Sequence, residues 1–276
     1  MEPRRTVEFL KSVYFYKQAE SILRIAQTVI PTVPPEDLFP GLFARPVQAL
    51  ELGGTQHANP TPYESYLLAC IVQSLRPRTL FEFGTFEGRT TLQLALNSPP
   101  DAIIYTLDLP EDYGSTHYAR SYPDEDRVRR WPIGGSFQRY AISRKIRQLF
   151  ADSASADYKN LRGGVDFIFI DADHGYEYVK SDSENAVSMM SPHAVILWHD
   201  YGSKWKDVTL FLYELAVRER KNIYHLEGTN LAIYAPAISL PRQPEVANAS
   251  TVATNCQPAT GMSRSVAPCA PKRAGI

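Results

Sequence analysis

The chain is short of cysteine, of net charge and of long apolar runs, and each shortage narrows what it can be. Three cysteines in 276 residues are an odd number without framework spacing. They exclude a disulfide-stapled scaffold and point to a reducing compartment. A formal net charge of −1 leaves no electrostatic footprint for a polyanion, so nucleic acid is not an expected partner. The most basic stretch, Arg127 to Arg130, follows the acids Asp124, Glu125 and Asp126, the pattern of a solvated helix face. No stretch approaches the roughly 20 apolar residues that a membrane-spanning helix needs. The N-terminus lacks the uninterrupted apolar core of a signal peptide. The expectation is a cytoplasmic protein with no membrane partner.

What is present is a hydrophobic content of 44%, enough for one large α/β domain with appendages. Ala19, Ile22, Leu23, Ala26 and Ile30 recur at helical spacing, so residues 5 to 30 read as an amphipathic helix, a candidate surface for a homo-oligomer. Pro31, Pro34 and Pro35 stop it. Thr61-Pro62-Tyr63-Glu64 has the form of a helix start: an N-cap, a proline in the first position and an acid closing a capping box. Strands and helices then alternate. Thr79 to Phe83, Ala102 to Leu107, Ile146 to Ala151, Val165 to Ile170 and Ala194 to Trp198 read as strands. Asn222 to Leu226 and Asn230 to Tyr234 read as a closing hairpin, hence one antiparallel strand. Residues 110–144, rich in Tyr, Arg and Asp, are too long for a plain connection and read as a lid or substrate insertion. The expected division is an extension over residues 1–60, a catalytic domain over 61–235 and a disordered tail over 236–276.

The chemistry gathers at strand ends. LFEFGTFEGRT, from Leu80 to Thr90, reads as strand, turn and helix start. Glu82 ends the strand, and Gly84 and Gly88 let a ligand approach the backbone. Asp108, about twenty residues on, is placed to accept hydrogen bonds from ribose hydroxyls. A dinucleotide turn reads GxGxxG, whereas Phe86 and Glu87 fill the gap between these glycines. A side chain and an acid there suit a cofactor without phosphate, such as S-adenosylmethionine, better than a diphosphate. Asp152 and Ser153, then Asp171, Asp173 and His174, then His199, Asp200 and Tyr201 follow at the ends of later strands. Polar residues thus recur at the carboxyl edge, where open α/β sheets bind ligands. Any one of them has a bland alternative: Asp152 and Ser153 as helix caps, or His174 as a cap or a partner of Asp200.

In that order these motifs resemble the class I S-adenosylmethionine-dependent methyltransferases over residues 60 to 235. The branch is methyltransferase domain 24, similar to the catechol, caffeoyl-CoA and macrocin O-methyltransferases. The resemblance implies a Rossmann-like, seven-stranded, mostly parallel sheet with an antiparallel last strand and helices on both faces. It also implies a cofactor site of Glu82, Gly84, Thr85, Phe86, Gly88, Thr90, Asp108, Asp152, Ser153 and Asp171. Metal-dependent relatives place an aspartate where Asp171 stands and an Asp-Asn pair where this chain has His199-Asp200. A divalent metal such as Mg²⁺ on Asp171, His199 and Asp200 is therefore an open expectation, and an imidazole favours a more borderline ion. His174 occupies the position of the family's catalytic lysine and is the first candidate for the base that deprotonates an acceptor; His199 is the second. The expected partner is a small-molecule acceptor methylated on oxygen. A nicotinamide-dependent oxidoreductase and a non-catalytic cofactor-binding module remain the alternatives.

Overall fold

The computed structural model describes residues 17–52, 59–121 and 132–238. The basic run at Arg127, Cys256, Cys269 and the tail beyond residue 238 lie outside the described residues. Helix α1 is seen over residues 17–26. It is followed by β1 (Thr32–Val33), α2 (Pro35–Leu38), α3 (Pro62–Leu75), β2 (Thr79–Phe83), α4 (Arg89–Asn97), β3 (Ile103–Asp108) and α5 (Gly135–Gln138). Then come β4 (Ile146–Phe150), β5 (Val165–Ile170), α6 (Tyr176–Met189), β6 (Met190–Trp198), α7 (Lys206–Arg218), β7 (Ile223–Leu226) and β8 (Ala232–Tyr234).

The eight strands form one sheet in the order β1-β7-β8-β6-β5-β2-β3-β4. All neighbours are parallel except β8, which runs antiparallel to β6 and β7. The seven expected strands are all present. β1, two residues long, pairs with β7 and extends that edge. It is too short for a periodic signal, and the prolines around it hide it in the sequence.

β5 shows why this sequence makes a central strand. Phe167 and Phe169 point into one core, with residues of α3 and α4. Ile168 and Ile170 point into the other, with residues of α1, α6 and α7. Apolar side chains on both faces leave only the strand ends free for polar work. Helix α1 ends at residue 26, short of the expected Ile30; its Ala26, and Ile30 beyond it, are fully buried in this same core. α3 starts as its motif predicts: Thr61 Oγ1 accepts from Glu64 N at 3.2 Å, and Glu64 Oε2 accepts from Thr61 N at 2.7 Å.

The described parts of the 110–144 segment do two different things. Residues 132–145 pack on α4. Phe137 is buried, and Lys145 Nζ donates to the carbonyls of Ala95 (2.6 Å) and Ser98 (3.0 Å). A cation there satisfies the unpaired carbonyls at the end of α4 and opposes its dipole. Residues 113–121 instead cross the carboxyl edge of the sheet. Among the described residues, no helix is long and apolar enough to cross a membrane.

Candidate active site at the carboxyl edge of the sheet

The turn after β2 is held by steric necessity and by its own amides. Gly84 has φ +91°, and a Cβ on it would overlap the carbonyl oxygen of Asp171, with the carbonyl carbon at 2.7 Å. Gly88 has φ +80°, and a Cβ would lie 2.5 Å from the Phe137 ring. Phe86 adopts φ +46°, a cost for a residue with a Cβ, and is held there by two bonds. Its amide donates to Asp108 Oδ2 at 2.7 Å, and its carbonyl accepts from Gly134 N at 2.9 Å. The Gly84 amide donates to Leu107 O and that of Gly88 to Thr85 O. Three amides of the turn are thus committed inside the protein. A diphosphate site needs amides aimed at the ligand, and these three are not offered to one.

That conclusion corrects one step of the sequence argument. Glu87 is 1% exposed and pairs with Arg89 Nε at 2.9 Å, so its charge does not confront a ligand. Phosphate is disfavoured by the committed amides instead. Glu82 is likewise turned away from the edge. It is 1% exposed, and its Oε2 accepts from Thr106 Oγ1 at 2.6 Å and from Thr91 Oγ1. Burial pushes this carboxyl up to about 8, against the pull of its hydroxyl donors. Its place is beneath the turn, tying α4 to β3, rather than on a ligand wall. Thr85 joins this network through Thr106 Oγ1 at 2.7 Å, and Thr90 is buried in the first turn of α4.

Asp108 ends β3. Its Oδ1 accepts from Leu109 N at 2.8 Å while Oδ2 holds the Phe86 amide. Asp152, after β4, does more than cap. Oδ1 accepts from Ala154 N at 3.0 Å, and Oδ2 accepts from His117 N at 2.6 Å and from Tyr178 Oη at 2.9 Å. Burial and this bond push the Tyr178 phenol up to about 12. The Ser153 carbonyl accepts from Tyr158 Oη at 2.8 Å. Asp173 accepts from Ser121 N through both oxygens, at 3.2 and 3.0 Å. Two carboxylates after successive strands therefore pin residues 117–121 across the edge.

Beyond Asp171 lies a compact ionic cluster. His174 Nε2 is 2.8 Å from Asp200 Oδ2, and its ring stacks on Trp205 with centroids 4.5 Å apart and planes 8° apart. His199 Nδ1 is 3.1 Å from Asp171 Oδ1 and 3.3 Å from Asp200 Oδ2, while Nε2 is 3.4 Å from Glu64 Oε2. Burial alone would lower the His199 pKa, but the charge of Asp171 and the bonds to Asp171, Asp200 and Glu64 raise it well above its usual value. Burial works against Asp200 as well, yet its bonds to His174 and His199 hold it well below the usual carboxylate range. Asp200 adopts φ +63°, a left-handed conformation that costs a non-glycine residue about 1–3 kcal/mol. Asp171, His174 and Asp200 each offer one ligand atom, and these lie within 4.8 Å of one another. The sequence expectation named His199 with these two carboxylates; the structure groups them with His174, and His199 Nδ1 lies beside the same two oxygens, a donor set that suits a divalent cation.

A pocket of about 390 Å³ opens beside this cluster, with His174, Tyr118, Tyr176, Trp205 and Lys206 in its walls. Tyr201 does not reach it, being 1% exposed in the core, and Trp198 is packed in the sheet with Nε1 donating to Ser183 Oγ at 2.9 Å. Trp205 and Glu64 had no functional signal in the sequence. Trp205 lies six residues past His199 in an irregular loop, and Glu64 read only as a helix cap.

The methyltransferase-domain family matches residues 81–201. Among curated proteins the chain is similar to an uncharacterised protein, y4gI, of Sinorhizobium fredii. Identity is 25% over 172 residues, which are 61% of this chain and 18% of that protein. The chain thus spans under a fifth of that relative's length. Among solved structures it resembles a protein of Corynebacterium glutamicum, with a TM-score of 0.50, 9% identity, and coverage of 67% of this chain and 85% of that one. An O-methyltransferase of Bacillus cereus solved with S-adenosylhomocysteine gives a TM-score of 0.48 at 16% identity, covering 79% and 90%. The β4-β3-β2-β5-β6-β8-β7 order and the glycine turn after β2 form a Rossmann-like sheet, and the match to the methyltransferase-domain family falls on its residues 81–201.

Proposed function

We propose that the protein is an S-adenosylmethionine-dependent O-methyltransferase of a small hydroxylated molecule, with His174 as the base. One observation carries the reading. The backbone of Asp171 seals directly against Gly84 in the cofactor turn, and three residues later His174 stands in the wall of a pocket. Cofactor turn and acceptor pocket are therefore neighbours.

S-adenosylmethionine supplies a methyl group on a sulfonium, open to in-line displacement. Gly84, Thr85, Phe86, Gly88 and Thr90 would form the wall at its methionine end, with Glu82 holding that wall from behind. Asp108, at the carboxyl end of β3, would accept from the ribose hydroxyls. Asp152 and Ser153 would border the adenine. The turn's committed amides favour this phosphate-free ligand and count against a nicotinamide dinucleotide.

Deprotonating the acceptor falls to His174. The His174 ring would take the acceptor's proton, with Asp200 at its Nε2 orienting it. Asp200 then stabilises the imidazolium that forms, and stacking on Trp205 fixes the ring plane. Asp171 and Asp200, with His199, would hold a divalent cation, whose chemistry is to lower the pKa of an acceptor hydroxyl.

The test is methyl transfer itself. The purified protein is incubated with S-adenosylmethionine bearing a deuterated methyl and the small-molecule fraction of a cell extract. Label is expected on an oxygen of a hydroxylated compound. Label on nitrogen or carbon, or none while the cofactor is bound, contradicts the reading.

A further inference from the structure

Glu64 serves three masters with one buried carboxylate. It closes the capping box of α3 through Thr61 N, and its Oε1 accepts from Asn230 N at 2.6 Å in the link between β7 and β8. Its third neighbour is His199 Nε2 at 3.4 Å. Glu64 is 2% exposed, so it has little freedom to choose another partner. The opposite ring nitrogen, Nδ1, is thereby turned toward Asp171 Oδ1 and Asp200 Oδ2. Three carboxylates converge on one imidazole, and even as an imidazolium it leaves negative charge that a divalent cation would balance. A carboxylate behind a histidine fixes which nitrogen faces the ion and raises its basicity.

We infer that Glu64 is a positioning residue that presents His199 Nδ1 to a cation shared with Asp171 and Asp200, and that this nitrogen makes the site prefer a late first-row divalent ion over Mg²⁺. The inference rests on the metal reading above. Mg²⁺ takes oxygen ligands in near-ideal octahedral geometry and parts with its water reluctantly. Co²⁺ and Zn²⁺ accept imidazole readily and lie higher in the affinity order of divalent ions. The ring of His199 also faces Phe169, with centroids 6.3 Å apart, which leaves it away from the acceptor pocket. His174 can then keep the base role while His199 serves the cation.

The experiment is calorimetric titration of the chelator-treated chain with Co²⁺, Zn²⁺ or Mg²⁺ alone, with visible absorption followed in the Co²⁺ arm. Binding of S-adenosylhomocysteine is measured in parallel. Wild type should bind Co²⁺ at least about tenfold more tightly than Mg²⁺ and develop a visible band. Glu64→Gln keeps a capping-box residue and should weaken Co²⁺ binding by about 10–100-fold without changing S-adenosylhomocysteine affinity. His199→Asn, which keeps an amide donor for Glu64 and offers an oxygen to the ion, should erase the preference for Co²⁺. Mg²⁺ binding as tight as Co²⁺, or a Glu64→Gln protein with wild-type Co²⁺ affinity, overturns the inference. So does the failure of every divalent ion to bind, which leaves the methyltransferase reading standing if S-adenosylhomocysteine still binds. Loss of S-adenosylhomocysteine binding alone would sink that reading while the metal preference stood.

Discussion

Gly84 and Asp171 touch with no room for a single methyl group between them. The Asp171 carbonyl fills the space a Cβ on Gly84 would need, and its amide is anchored by Phe83 O at 2.9 Å. The ends of β2 and β5 are thus locked, and the glycine turn is fixed against the strand end that carries the ionic cluster.

Gly84→Ala should therefore be severe. It meets both a left-handed φ and a backbone that cannot retreat, and we expect a loss on the order of 3 kcal/mol or more. Urea unfolding measures it. A loss below about 1 kcal/mol would mean that β5 can shift away, against the packing described.

Glu82 gives a pH signature. Its folded-state pKa of about 8 lies above the unfolded value of about 4.3, so the native state holds the extra proton. This stabilisation is complete below about pH 4.3 and is lost as pH rises through about 8, at up to about 1.4 kcal/mol per pH unit. Glu82→Gln removes that slope while keeping an acceptor for Thr91 and Thr106. Unfolding free energies at pH 5.5 and 7.5 should converge in the variant relative to wild type. Identical slopes would show that Glu82 is ionised in the fold.

Asp108 holds the Phe86 and Leu109 amides through separate oxygens. Asp108→Asn must turn an NH₂ group toward one of them. Leaving one such group unsatisfied costs about 1–3 kcal/mol, and both the turn and the ribose site should suffer. We expect S-adenosylhomocysteine affinity to fall about tenfold or more. Unchanged affinity would place the ribose elsewhere.

His174→Ala should lower methyl transfer by about 10²–10⁴-fold, the usual worth of a positioned base. S-adenosylhomocysteine affinity should stay near wild type, because the ring lines the pocket rather than the glycine turn. A turnover number within a factor of about three of wild type removes His174 from the base role.

The fold was legible because its signals are local. VDFIFI can only be a strand buried on both faces, and the Thr61–Glu64 capping box set the start of α3 to the residue. The hairpin of β7 and β8 revealed the antiparallel strand. The candidate site was legible as a set of positions at strand ends, but not as a set of contacts. Glu82 and Glu87 look alike beside the glycines in the sequence, yet each is turned inward by partners far along the chain or beside it, Thr106 and Arg89. Glu64 is separated from His199 by 135 residues, and only the sheet order brings the two together. Trp205 carries no motif, since stacking on His174 depends on a loop path with no periodicity. The helix stripe of α1 showed an apolar face but not what covers it; among the described residues, Ala19 and Ala26 are covered by this chain's own core.

The most direct measurement is calorimetric titration of the wild-type protein with S-adenosylhomocysteine, with NADH in a parallel cell. A turn whose amides are committed, flanked by Asp108 and Asp152, predicts saturable one-to-one binding of S-adenosylhomocysteine and no binding of the dinucleotide. Binding of NADH, or no heat and no thermal stabilisation with S-adenosylhomocysteine, would contradict the account.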